Sequence, residues 1–242
     1  MNNTNLPWKD ETEFFQLHSK RIFSQHKMYN SAVMGDSPED FAEYIRKNAR
    51  IRFLGKVLDL GCGSGFMVHS FSHIADCMGI STSSACIKQC RDNYPESNFQ
   101  LGDMASFVYP KATNILAMES LFYSDVPHTL ETSWNNLVPG GYLFIYEICK
   151  KEGLSQDQEI SFESIGNFWK YYPQSVSYVI GEASKVGFQL VEFQDVSNRR
   201  NMNFFLETLP LLEIPDPDPT LSQFLLSAQF LFKKPGFHNS YV

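Results

Sequence analysis

Three alternating glycines, Gly61, Gly63 and Gly65, stand directly behind the run Val57-Leu58-Asp59-Leu60, with Cys62 and Ser64 between them. A glycine at such a place lets backbone approach a ligand closely, because no Cβ stands in the way. The next residues, Phe66, Met67, Phe71 and Ile74, are apolar at helical spacing. The order is therefore strand, tight turn, helix, and the helix is expected to aim free N–H groups at whatever occupies the turn. A dinucleotide fingerprint would read G-x-G-x-x-G, its third glycine packing helix against strand. Phe66 stands at that third position here, so the chemistry suggested is the holding of a different nucleoside ligand. A second acid, Glu119, closes the apolar run Thr113–Met118. A carboxylate at the carboxyl end of a strand and facing a cleft is costly unless it is paired or used. His128 titrates near neutral pH, but it comes after Pro127 at a helix start, where an exposed histidine is unremarkable.

Strands and helices that must position these groups alternate after residue 55. Strands are expected at 56–60, 77–80, 98–101, 113–118, 142–148, 188–196 and 223–232. Helices are expected at 66–74, at 83–94 behind a Ser/Thr cap, at 127–137 from a first-turn proline, and at 175–186 ending on Gly187. The continuous apolar run of the fourth strand suits burial on both faces. Repeated βα units predict an α/β fold, a doubly wound, seven-stranded, mostly parallel Rossmann-like sheet with right-handed crossovers. Two regions lie outside the scheme. Residues 1–54 read as an N-terminal helical cap before the core at 55–242. Residues 150–174 carry Phe162, Phe168, Trp169, Tyr171 and Tyr172 and leave from a strand's carboxyl end. In an open sheet ligands bind there, so this aromatic insertion is either a lid over an apolar substrate or a cluster that merely covers the sheet.

Composition narrows the class. A chain of 242 residues is long enough for one sizeable core, and 43% hydrophobic content is ordinary for a soluble protein. No apolar run approaches a membrane span, and the amino terminus lacks the layout of a signal peptide, so a cytoplasmic enzyme with no membrane partner is expected. A net charge of −7 disfavours nucleic acid, whose phosphates call for a basic face. The five cysteines, Cys62, Cys77, Cys86, Cys90 and Cys149, are odd in number and form no C-x-x-C pair, so neither a disulfide framework nor a metal site is indicated. Cys86 and Cys90 share a helix face and read as core fillers.

With Asp59 ahead of it, the glycine turn resembles motif I of the class I S-adenosylmethionine (SAM)-dependent methyltransferases, hydrophobics and then D/E-x-G-x-G-x-G. The resemblance covers residues 56–150 well and the flanks weakly. It implies SAM as cofactor. Gly61, Gly63 and Gly65 would lie against its methionine and ribose portion, with Cys62 in the same loop. Asp59 would help to hold the amino group. Leu101-Gly102-Asp103-Met104 comes after the third strand, where the family's acid accepts from the adenine amino group and the next side chain packs on the ring. Asp103 and Met104 match those positions. The Gly79-Ile80-Ser81 turn departs from the pattern: Ser81 stands where most members carry a ribose-binding acid, leaving the ribose to Ser81, Thr82 and backbone groups. Gly-Ile-Ser is similar to a subgroup that methylates sugars, sterols, tocopherols and isoprenoid diphosphates, although Ser83-Ser84-Ala85-Cys86 replaces that subgroup's usual Ser-Pro-x-Gln.

Met118-Glu119-Ser120-Leu121-Phe122-Tyr123 ends the fourth strand, where the family displays the transferred methyl group beside Met118. This stretch is similar to the Glu-Ser-aromatic stretch of geranyl diphosphate C-methyltransferases. It implies that Glu119 handles a proton or steadies a cation, with His128 and Tyr123 as second-rank catalytic groups. Tyr29 in the cap matches, loosely, a tyrosine set against SAM or substrate. An aromatic content of 14% favours an apolar acceptor, including carbon methylation of an isoprenoid. A diphosphate would call on cations such as Arg199 and Arg200. Transfer to oxygen or nitrogen of a sugar, phenol or amine stays open, as does a methyltransferase-fold protein that binds without turnover. A nicotinamide oxidoreductase is disfavoured by Phe66 and Ser81. Oligomeric state is not legible.

Overall fold

The computed structural model describes residues 37–48, 54–153, 160, 162–163, 170–197 and 219–236. The helices are α1 Ser37–Lys47, α2 Phe66–Phe71, α3 Ser84–Asn93, α4 Val126–Asn136 and α5 Val176–Val186. The strands are β1 Lys56–Leu60, β2 Asp76–Ser81, β3 Asn98–Leu101, β4 Ala112–Met118, β5 Leu137–Lys150, β6 Phe162–Glu163, β7 Lys170–Tyr171, β8 Gln189–Asp195 and β9 Leu225–Lys233. Seven of them form one sheet in the order β3-β2-β1-β4-β5-β9-β8. The pairs from β3 to β5 are parallel, and β9 runs antiparallel between β5 and β8. The expected mostly parallel, doubly wound sheet is what the chain forms.

Each face of the sheet carries its own apolar cluster. On one, α1 to α3 contribute Phe41, Ala42, Ile45, Met67, Phe71, Ile87 and Cys90 against Val57, Leu116 and Phe144. On the other, α4 and α5 contribute Leu130, Val179 and Ala183 against Ile115, Ile145 and Phe230. Local signals set the helix ends. Ser83 Oγ accepts the Cys86 N–H, Asp125 accepts the His128 N–H, and Ser175 accepts the Tyr178 N–H, satisfying donors that a first turn leaves free. Gly187 ends α5 at φ 113°.

Two details differ from expectation. The helix after the glycine loop stops at Phe71 rather than Ile74, the Ile74 N–H returning only three residues to Phe71 O at 2.9 Å in a tighter turn. Six residues make too short a helix for its dipole to matter much, so the loop itself must do the holding. Pro139-Gly140-Gly141 does not precede β5 but lies within it, as a break between the pairs Ala112↔Leu137 and Asn114↔Tyr142. Of the expected cap, the described part is α1, which packs Phe41 on Tyr146 with ring centroids 5.7 Å apart.

The sheet order reverses between the parallel strands β1 and β4, with β2 and β3 added outward on one side and β5 on the other. The carboxyl ends of these strands form the crevice in which such folds bind ligands. Gly79 in β2 keeps the glycine loop close to the sheet. A methyl group there would come 2.7 Å from Cys62 Cβ and 2.8 Å from Val68 Cγ2. Gly79→Ala is therefore expected to lower stability by about 1–3 kcal/mol through overpacking, read as a reduced urea midpoint.

Candidate functional site

The three loop glycines all have positive φ, 69° at Gly61, 46° at Gly63 and 80° at Gly65, a region that side chains avoid. Their surroundings differ. A methyl on Gly61 would strike Ser120 Cβ at 2.5 Å and approach Met104 Cε at 3.2 Å. A methyl on Gly65 would strike the Phe99 ring at 2.8 Å and Cys90 Sγ at 3.1 Å. A methyl on Gly63 would meet nothing nearer than the Gly61 carbonyl oxygen at 3.9 Å. Gly61 and Gly65 thus seat the loop on the protein, and Gly63 faces open space. The Cys62 side chain points into the sheet, against Gly79, and hydrogen-bonds to Cys90, which with burial pushes its thiol pKa up. Its N–H donates to Ile80 O at 2.8 Å. Whatever Cys62 offers a ligand comes through the loop's path and not its sulfur.

Asp59 lies in the middle of β1, 3% exposed. Burial alone sets its charge, with no donor or cation among the described residues to oppose it, and pushes its pKa to about 8. An ionised carboxylate left this way is strongly disfavoured, so the position suits a ligand that brings an ammonium or other donors.

The remaining cofactor candidates sit around this centre. Ser81 ends β2, half-buried, its Oγ accepting the Ser83 N–H at 3.2 Å; Thr82 is exposed. Asp103 is exposed beyond β3, with Oδ1 accepting the Ala105 N–H at 2.9 Å. Met104 is buried and reaches the glycine loop. Met118 is half-buried at the end of β4. The structure brings Asp59, the glycines, Met104 and Ser120 into one neighbourhood. Tyr29, Arg199 and Arg200 lie outside the described residues.

On the acceptor side, Glu119 is half-buried and is the one non-glycine position among the described residues with positive φ, 48°. That conformation costs an L-residue about 1–2 kcal/mol, and such strain gathers at functional sites. Leu121 to Tyr123 form a short 3₁₀ turn, with Leu121 and Phe122 buried and Tyr123 exposed. The turn lies against β7 of the two-stranded β6–β7 ribbon, and Ile160 is buried in the same apolar cluster as Leu121 and Phe122. The described part of the aromatic insertion therefore returns to the end of β4. His128 stands apart at the start of α4, exposed, with Nδ1 2.9 Å from Asp125 Oδ2. That carboxylate raises its pKa, which keeps the imidazole charged over more of the neutral range, whereas a base must be uncharged.

Sequence patterns alone assigned no role to two further residues. Ser120 Oγ donates to Leu60 O at 2.6 Å, and Glu147 in β5, without exposure, accepts the Ser120 and Leu121 N–H groups on Oε1 at 2.8 and 2.6 Å. Glu147 fills the structural role weighed for Glu119, a buried carboxylate on backbone amides. The signal was present: Glu147 is the lone charge within the apolar run Tyr142–Ile148.

Residues 58–145 match the family model described as "Methyltransferase domain". That segment contains Asp59, the glycine loop, Asp103 and Glu119. No curated protein matches the chain. Solved structures similar to it include the (4+2)-cyclase SpnF, 18% identical over 82% of this chain and 81% of that one, TM-score 0.68. Another is the geranyl diphosphate C-methyltransferase of Streptomyces coelicolor A3(2), 14% identical over 81% and 76%, TM-score 0.63, in complex with Mg2+, geranyl-S-thiolodiphosphate and S-adenosyl-L-homocysteine. A third is phosphoethanolamine N-methyltransferase 2 of Haemonchus contortus, 14% identical over 95% and 61%, TM-score 0.69, in complex with S-adenosyl-L-methionine. The buried Asp59 carboxylate, which no described residue offsets, and the open space at Gly63 both fit the S-adenosyl ligand held by the last two of these structures. Among the described residues no helix is long and apolar enough to cross a membrane.

The glycines separate seat from cradle. Gly61→Ala is expected to lose about 2–4 kcal/mol of stability from its clash and strain. Gly63→Ala should lose only about 1–2 kcal/mol yet weaken SAM binding about tenfold or more. Urea denaturation and calorimetry distinguish the two.

Asp59 gives a pH signature. Its carboxyl ionises near 3.8 when unfolded and near 8 when folded. The group therefore costs nothing below pH 4, and costs about 1.4 kcal/mol more with each pH unit up to 8. Asp59→Asn should raise the urea midpoint of the ligand-free protein at pH 8 more than at pH 5. The same change should weaken SAM binding and abolish the rise in wild-type affinity between pH 6 and 8.

Proposed function

We propose that the methyltransferase domain transfers the methyl group of SAM to a small apolar acceptor, carbon methylation of an isoprenoid being the leading case. The observation that carries this reading is the apolar wall at the end of β4, where Leu121, Phe122 and Ile160 are buried beside the β6–β7 ribbon. The similarity to a geranyl diphosphate C-methyltransferase supports it. In this reading residues 150–174 are the lid on the acceptor side, and residues 1–54 form a cap.

Bound SAM supplies a methyl group already activated by its sulfonium. The protein's work is to bind, align, exclude water and manage one proton. Asp59 receives the ammonium, and the Gly61–Gly65 loop admits the nucleoside where Gly63 leaves room. Asp103 and Met104 take the adenine, and Ser81 and Thr82 the ribose. Alignment of acceptor and donor supplies up to about 7–11 kcal/mol in favourable cases, and the ribbon over the turn keeps water out. Glu119 removes the proton from the methylated acceptor, its strained backbone presenting the carboxylate from the strand end. Tyr123 is exposed on the same turn, and His128 stands apart at the start of α4.

Labelled SAM, offered with prenyl diphosphates, phenols, sugars and amines, tests the acceptor class; transfer confined to polar amines or sugars would remove the apolar assignment. Glu119→Gln is expected to lower turnover by about 10²–10⁴-fold with SAM affinity within about threefold. Undiminished turnover would remove Glu119 as the base.

A further inference from the structure

Two carboxylates are buried among the described residues, Asp59 and Glu147. The cofactor accounts for the first but not for the second. The ladder between β4 and β5 ends at the pair Met118↔Tyr146. Beyond it, Tyr146 O accepts the Glu119 N–H at 2.7 Å, and Glu147 Oε1 then accepts the next two amides, Ser120 and Leu121. A side-chain carboxylate has taken over from the ladder because the backbone has turned left-handed at Glu119. The turn carries Ser120 over β1, where its hydroxyl holds Leu60 O and its Cβ fills the space beside Gly61.

We propose that Glu147 is a positioning residue for methyl transfer. By holding the Ser120 and Leu121 amides it fixes the strained turn that presents Glu119 to the acceptor, and it fixes the Ser120 prop against the cofactor loop. The inference rests on the methyltransferase reading of the site and names how its two halves are kept in register. A carboxylate suits the post. Two donors converge on one oxygen, and an ionised acceptor binds each about twice as strongly as a neutral one. An apolar residue would leave both amides unpaired in the core.

The test uses the full chain. Glu147→Gln is expected to weaken S-adenosylhomocysteine binding about tenfold, read by calorimetry. Combined with Ser120→Ala it should weaken binding no more than the worse single variant, because both act on one prop, whereas independent structural damage would multiply. In the wild type, the Ser120 and Leu121 amides should exchange with deuterium as slowly as the Ile145 amide. Glu147→Gln should accelerate those two while Phe144 stays slow. Wild-type affinity in the variant, multiplying factors, or loop-like exchange of the two amides in the wild type would each overturn the proposal. The last measurement holds even if the variant fails to fold. A wild-type chain that ignores S-adenosylhomocysteine but protects both amides would instead overturn the methyltransferase reading, and with it the catalytic part of this assignment.

Discussion

One hydrogen bond joins the exits of the two central strands, from Ser120 Oγ at the end of β4 to Leu60 O at the end of β1. Strand pairing alone cannot set the distance between the two exit segments, since both leave the ladder there. The serine ties them, and its Cβ occupies the volume that a side chain at position 61 would need. The first glycine of the loop is therefore required twice, by its positive φ and by the neighbour that strand β4 delivers. Met104 arrives at the same spot from beyond β3. Three strand exits thus converge on Gly61, leaving Gly63 as the loop position with room in front of it.

The two buried carboxylates show two ways of placing a polar group in the core. Glu147 accepts from two amides that would otherwise be orphaned, so burial of its charge is offset where it stands. Asp59 is buried with nothing among the described residues to offset it. Were both structural, the second would be a defect of several kcal/mol with no compensating gain. The contrast makes sense if one charge serves the scaffold and the other waits for a ligand. Binding energy at Asp59 is then large because the free protein carries the desolvation cost already.

The sheet was legible because its signals are local and repeated. Apolar runs of strand length, a Ser/Thr cap before the third helix and Gly187 as a stop all kept their roles. The spacing of the glycine loop alone separated it from a dinucleotide fingerprint. What escaped was non-local. Glu147 is twenty-six residues from Leu121, and only the β4–β5 register shows that its carboxylate meets those amides. The acid that drew attention, Glu119, and the acid that holds the backbone, Glu147, are neighbours across the sheet, and the sequence reading gave the second no role. The Pro139-Gly140-Gly141 signal was read correctly as a break and misplaced by a few residues, since the chain pairs with β4 before and after it.

Fold alone does not choose the reaction. Proteins similar in structure to this chain include a cyclase, a C-methyltransferase and an N-methyltransferase, and a shared scaffold hosts different chemistries through its grafted site. The choice must come from the side of the crevice facing away from the cofactor. There the chain maintains a left-handed glutamate, at a cost that glycine or asparagine would avoid. Leu121 and Phe122 of the turn are buried with Ile160 in one apolar cluster. A strained carboxylate in an apolar wall suits a positive charge that arises briefly during reaction, since a permanently solvated cation would gain nothing from the dry surroundings. Methylation of an alkene creates such a charge at the acceptor carbon, and removal of a proton discharges it. An amine acceptor would begin the reaction as a polar group needing hydrogen-bond partners, which Leu121, Phe122 and Ile160 do not offer, and this is the ground on which the proposed acceptor is apolar.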